Sequence, residues 1–151
     1  QTSATMERHD PAYFRKRNRY SIKRVLPIRQ DIIGNFCRGD RLVVEGHTDN
    51  LPRKLSIQLL GNSPVFLDFD FGSCQMHHIG KGGPYKFDHI PSFNDGFIDI
   101  EIIYELDGSL TVTSGSQRSG PIAKIPSGNF GDISFVNLEG NFRATEIFQN
   151  S

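Results

Sequence analysis

Residues 97–106 read FIDIEIIYEL, and Asp107-Gly108 separates them from SLTVT at 109–113. Side chains alternate across a strand, so Ile98, Ile100, Ile102 and Tyr104 share one face. Phe97, Asp99, Glu101 and Ile103 share the other. That alternation predicts a strand buried on its first face and largely wetted on its second. Asp-Gly is the strongest short hairpin signal a sequence can carry, because Gly supplies the positive φ of a tight turn. Two antiparallel strands over 97–113 therefore set the fold class.

The same grammar extends outward. Short apolar runs bounded by Gly, Pro, Asn or Asp lie at 20–26, 41–46, 55–60, 65–71, 75–79, 122–125, 133–138 and 142–147. Runs at about 8–12-residue spacing signal an all-β sandwich or barrel. Gly140-Asn141 predicts a hairpin between the last two runs, and Gly61-Asn62-Ser63-Pro64 divides 55–60 from 65–71. In VFLDFDF, at 65–71, Val65, Leu67, Phe69 and Phe71 point one way and Phe66, Asp68 and Asp70 the other, which leaves Asp68 and Asp70 on an outer or concave surface. No stretch of helical period, no internal repeat and no apolar run of membrane-spanning length is present.

The chain has 151 residues, with 17 Lys/Arg against 17 Asp/Glu. That length fits one domain with a core that needs no disulfide or metal staple. Fifteen Gly and eight Pro agree with many turns. The neutral total conceals an asymmetry. Residues 1–24 carry seven Lys/Arg against Glu7 and Asp10, a net +5, and the remaining ten Lys/Arg against fifteen acids make −5. Residues 1–19 read as a basic, poorly ordered leader and 20–151 as the folded domain. Gln1 is no natural start, so an excised fragment is one reading of the chain. Cys37 and Cys74 are too few for a disulfide framework and are expected as thiols. No signal-peptide pattern is present, so the expected location is intracellular, cytoplasmic or nuclear, with unconventional secretion as the alternative.

Candidate chemistry is sparse. Asp68 and Asp70 stand about 7 Å apart by strand rise. That separation falls within the range of about 5–9.5 Å for a glycosidase pair. Such pairs face each other across a cleft, however, so no enzyme is expected. His77 and His78 are adjacent in a strand and point to opposite faces, so they cannot chelate together. No HExxH or CxxC spacing is present, and neither metal nor cofactor is expected. The run GKGGPY at 80–85 lacks Walker spacing and reads as a recognition loop. In the leader, Arg15, Lys16, Arg17 and Arg19, with Tyr13, Phe14 and Tyr20 interleaved, form a basic contact surface for a partner. Nucleic acid is the weaker candidate for that partner.

With these runs in order, residues 20–148 resemble the galectin carbohydrate-recognition domain. Tyr20 with Leu26-Pro27 resembles the opening strand and its Pro turn, and FCRGDRLVVEGHT resembles the next strand. LSIQLLGNSPVFLDFDF resembles the paired central strands. GFIDIEIIYELDGSLTV resembles the phenylalanine-led strand with its acidic-Gly turn, and ISFVNLEGNFRATEI the closing pair. The resemblance implies a jelly-roll-like sandwich of two antiparallel sheets, with a ligand site on the concave face of one. In the family a His, an Asn and an Arg of the central strand bind galactose hydroxyls. A following strand adds an Asn, and a Trp stacks under the sugar.

Here the corresponding positions hold Asp68, Asp70 and Gly72. Gln75, His77 or His78 stand near the expected Asn. The chain contains no Trp. Tyr85 is the nearest candidate ring, followed by Lys86 and Asp88. The expected ligand face is thus Asp68, Asp70, Gln75, His77, Tyr85 and Lys86. Gly cannot replace the fork of guanidinium donors. The expectation is therefore a recognition module that prefers a protein partner, or its own second copy paired through sheet edges, to ordinary β-galactosides. An atypical glycan site is the alternative.

Overall fold

The computed structural model describes residues 17–20, 26–48, 53–88, 97–115 and 120–150, with residues 17–20 and Thr145 described by backbone alone. Among the described residues there are twelve strands and no helix. They are β1 (Arg17–Tyr20), β2 (Ile28–Asp31), β3 (Arg41–His47), β4 (Lys54–Leu60), β5 (Val65–Asp70) and β6 (Gln75–His78). There follow β7 (Gly82–Lys86), β8 (Phe97–Tyr104), β9 (Leu110–Thr113), β10 (Ala123–Ile125), β11 (Phe135–Gly140) and β12 (Arg143–Asn150). Sheet 1 runs β1-β12-β3-β8-β9-β10 and sheet 2 runs β2-β11-β4-β5-β6-β7, with every pairing antiparallel. The expected two-sheet antiparallel sandwich is the observed fold. Among the described residues no helix is long and apolar enough to cross a membrane.

The alternations read from sequence decide what lies between the sheets. Ile98, Ile100, Ile102 and Tyr104 of β8 are buried, as are Val65, Leu67 and Phe69 of β5 with Phe71 just beyond it. Leu42 and Val44 of β3, Leu55, Ile57 and Leu59 of β4, and Val136 and Leu138 of β11 complete one continuous core. Aromatic pairs fix its two ends. Phe69, Phe71 and Phe87 cluster at one, where the Phe69 and Phe71 rings stack 5.7 Å apart. At the other, Tyr104 lies 5.5 Å from Phe36 and 5.7 Å from Phe130.

The predicted hairpins form. Gly108 takes φ +89° in the turn from β8 to β9. There the Asp107 carboxylate accepts hydrogen bonds from Ser109 Oγ at 2.5 Å and from the Ser109 N–H at 2.9 Å. Lys124 lies 3.3 Å away. The Ser109 bonds, with the Lys124 contact, hold the carboxyl down at about 2. Gly140 takes φ +122° between β11 and β12. Gly46 of β3 packs under Phe142, where a Cβ would lie 2.5 Å from the ring.

Beyond shifts of one to three residues at strand ends, three segments differ from the sequence reading. The first strand begins at Arg17, inside the expected leader, because residues 17–20 pair with 147–150 of β12. Residues 21–25 of the expected 20–26 strand lie outside the described residues. Ile28–Asp31 forms β2 against β11, and Gly82–Lys86, expected as loop, forms β7 at the edge of sheet 2. Pro84 stands within β7, a position tolerated at an edge because Pro offers no N–H to a ladder. Cys37 and Cys74 are free thiols.

Candidate functional site

Sheet 2 turns its polar alternate residues outward, and the strand register arranges them in rows. Glu139 of β11, Ser56 of β4, Asp68 of β5 and His77 of β6 are successive cross-strand neighbours. Lys54, Asp70, Gln75 and Lys86 form the adjacent row. Directly opposed residues stand about 4.5–5.5 Å apart at Cβ. Together the two rows line a depression of ≈ 400 Å³, floored by the backbone of Leu55, Phe69 and Gly140. The side chains of Leu55 and Phe69 are buried in the core. Among the described residues, therefore, no Phe, Tyr or Trp ring faces the depression.

The two aspartates differ in what they do. Asp70 Oδ1 accepts the N–H of Gly72 at 2.9 Å and of Ser73 at 3.2 Å, which closes the turn from β5 to β6. Asp68 and His77 are exposed and Gln75 is half-buried, and none of the three makes a side-chain hydrogen bond to a described residue. Hydrogen-bonding capacity at the centre of the depression is therefore open to a ligand, while half of Asp70's is committed to the fold.

The structure brings together four of the six residues expected on this face: Asp68, Asp70, Gln75 and His77. Lys86 sits beyond the rim, beside Gln75. Tyr85 lies on the other side of the sheet. Its register partner is Met76, which is fully buried, and strand neighbours in register point the same way. The Tyr85 ring packs on the core edge and cannot lie under a ligand held by Asp68. Arg15 and Lys16 lie outside the described residues. Arg17 and Arg19 belong to β1, in sheet 1 rather than in the sheet carrying the depression.

Lys54, Ser56 and Glu139 were not singled out in the sequence. Lys54 and Ser56 alternate with Leu55, Ile57 and Leu59, so their outward direction was readable. Their meeting with Asp68 required the long-range pairing of β4 with β5 and β11. Among the described residues no group of three or more His, Cys, Asp and Glu is arranged to hold a metal ion.

His77 and His78 divide as adjacent strand residues must: His77 is exposed and His78 is 7% exposed. Burial first, and the Lys81 charge second, hold the His78 imidazole below its ordinary value of 6.5. His78 is thus neutral in the fold, whereas the unfolded chain takes up a proton near 6.5. Its contribution to stability is complete above that value and declines as pH falls from there through the folded value. Thermal melts at about pH 7.5 and about pH 5.5 are expected to show a larger drop in Tm for the natural chain than for His78→Leu. Equal drops in both proteins would refute the assignment.

No protein-family model matches the chain, and no curated protein sequence matches it. Solved structures do. The chain is similar to Caenorhabditis elegans galectin LEC-6, with a TM-score of 0.63 at 14% identity, covering 89% of this chain and 96% of that one. It is similar to sheep galectin-11 in complex with glycerol, with a TM-score of 0.58 at 14% identity over 85% and 99% of the two chains. Xenopus laevis galectin-Ib gives a TM-score of 0.57 at 14% identity over 82% and 99%. The likeness is one of fold: a galectin-like β-sandwich.

Proposed function

We propose that the chain is a non-catalytic recognition module of lectin type that binds a glycan in the depression on the outer face of sheet 2. The observation that carries this reading is the convergence of Ser56, Asp68, Gln75 and His77 within one ≈ 400 Å³ hollow, three of them without partners among the described residues. Sugar hydroxyls donate to the carboxylates of Asp68 and Glu139 and accept from Lys54, Gln75 and His77. The galectin-like fold supports the same reading. Among the described residues no Phe, Tyr or Trp ring faces the site, so binding there rests on hydrogen bonds rather than on stacking of a sugar's apolar face. Ordinary β-galactosides are accordingly poor candidates. Asp68 and Glu139 stand on one sheet face rather than on opposite walls of a cleft, and the neighbouring Asp70 is engaged by the turn, which argues against glycosidase chemistry.

A glycan array followed by titration of the hits is the test. Asp68→Ala is expected to weaken the best ligand by roughly tenfold or more, the loss of a charge-assisted hydrogen bond. Asp68 is exposed, so folding is unaffected. The absence of any sugar binding at millimolar concentration would reject the reading.

A second reading is favoured by the charge of the hollow. Asp68, Asp70 and Glu139 outnumber Lys54 there, which suits a basic segment of a protein partner. Binding of a Lys/Arg-rich peptide that weakens with added salt, alongside a blank glycan array, would select it.

A further inference from the structure

A second cavity, of ≈ 660 Å³, opens between the two sheets at the β6–β7 edge of sheet 2. Its volume lies within the range of about 300–1,000 Å³ typical of small-molecule sites. The sheet 1 side is apolar: Ile125 at the end of β10, with Pro126 and Phe130 after it. The sheet 2 side carries His78, Lys81 and Tyr85 beside Pro64 and Val65, with Ser63 and Ser127 at the margins. Among the described residues no Asp or Glu lines it. It is separate from the depression described above, since His78 and Tyr85 point to the inner side of sheet 2 and Asp68 and His77 to the outer.

We infer that this cavity is a second binding site, which takes an organic anion with an apolar body, such as a medium-chain carboxylate. The Lys81 cation and the His78 ring, an N–H donor, stand on one wall with no carboxylate beside them among the described residues, and the opposite wall offers hydrocarbon. An amphiphile fits that division in one orientation, with its head at Lys81 and His78 and its chain against Ile125 and Phe130. A neutral ligand of equal length gains from one wall only, and a cation meets Lys81. The groups that titrate at or beside His78 are Lys81 and Tyr85. Val65 and Leu67 of β5 and the 125–130 wall add none among the described residues. An anion bound there offsets the Lys81 charge and favours protonation of His78, so its affinity rises as pH falls.

The test uses the full chain labelled with nitrogen-15, titrated with decanoate below its micelle concentration and, in parallel, with decanol. Decanoate is expected to shift the amides of Val65, His78, Lys81 and Ser127 and to bind roughly fivefold tighter than decanol. Lys81→Met should remove most of that preference and leave decanol affinity unchanged. Ser127→Trp, at an exposed position, should block both ligands. Decanoate affinity should rise between about pH 7.5 and about pH 6. Three results would overturn the inference: no shifts, shifts confined to Ser56, Asp68 and His77, or equal affinity for the two ligands in a folded protein.

Discussion

Phe69→Ala is expected to lower the free energy of unfolding by about 3–5 kcal/mol, the cost of emptying a buried aromatic site. Phe69 is 2% exposed and stands near the end of β5. Its ring stacks on Phe71 at an interplanar angle of 8° and lies 6.3 Å from Phe87, while Phe71 reaches Phe142 at 6.5 Å. Four rings contributed by three separate stretches of chain meet there, so the hole has no single mobile neighbour to fill it. The backbone of Phe69 also floors the outer depression, and local collapse would displace Asp68 and Asp70 on either side of it. Urea denaturation measures the loss. A change below about 1 kcal/mol would contradict the placement of the ring.

Gly140→Ala is the second large effect, expected to cost about 3 kcal/mol for a single added methyl group. Two causes combine. At φ +122° an L side chain is strained by about 1–3 kcal/mol. The new Cβ would also be driven into the Lys54 carbonyl oxygen, with the Lys54 carbonyl carbon only 3.0 Å away. That same oxygen accepts the N–H of Asn141 at 2.9 Å. Relief would require β11 and β4 to separate where Glu139 and Ser56 stand side by side. The variant should therefore lose ligand affinity even at temperatures where it stays folded. Circular-dichroism melts with a parallel binding titration separate the two losses. Normal stability would show that the backbone here tolerates a side chain.

These two sites illustrate what a sequence discloses and what it withholds. The alternation in VFLDFDF assigned Phe69 inward and Asp68 outward without ambiguity, because a period of two admits only that division. The Asp107-Gly108 and Gly140-Asn141 turns were equally readable, since their chemistry is local. β2 was missed because Ile28-Arg29-Gln30-Asp31 buries only Ile28 and so shows no period. β7 was missed because Gly82, Gly83 and Pro84 are poor strand formers, and the segment is held by pairing with β6 rather than by its own preference. Tyr85 was placed on the wrong face for a related reason. Its side depends on register with Met76 and on the irregularity between Met76 and His78, neither of which leaves a trace in composition. The candidate site was half legible: the outward aspartates and His77 could be listed from β5 and β6. Lys54, Ser56 and Glu139 joined them only through contacts far apart along the chain.

The Pro84 that marks β7 also bears on behaviour at high concentration. An outermost strand with free peptide groups can recruit a strand from another molecule and grow a continuous ribbon. Proline interrupts the donor series that such growth requires, and the Gly pair beside it offers no side chains to pack. Sheet 2 is thereby sealed against stacking end to end at β7. Any ordered self-assembly of this protein is steered toward β2 or the borders of sheet 1.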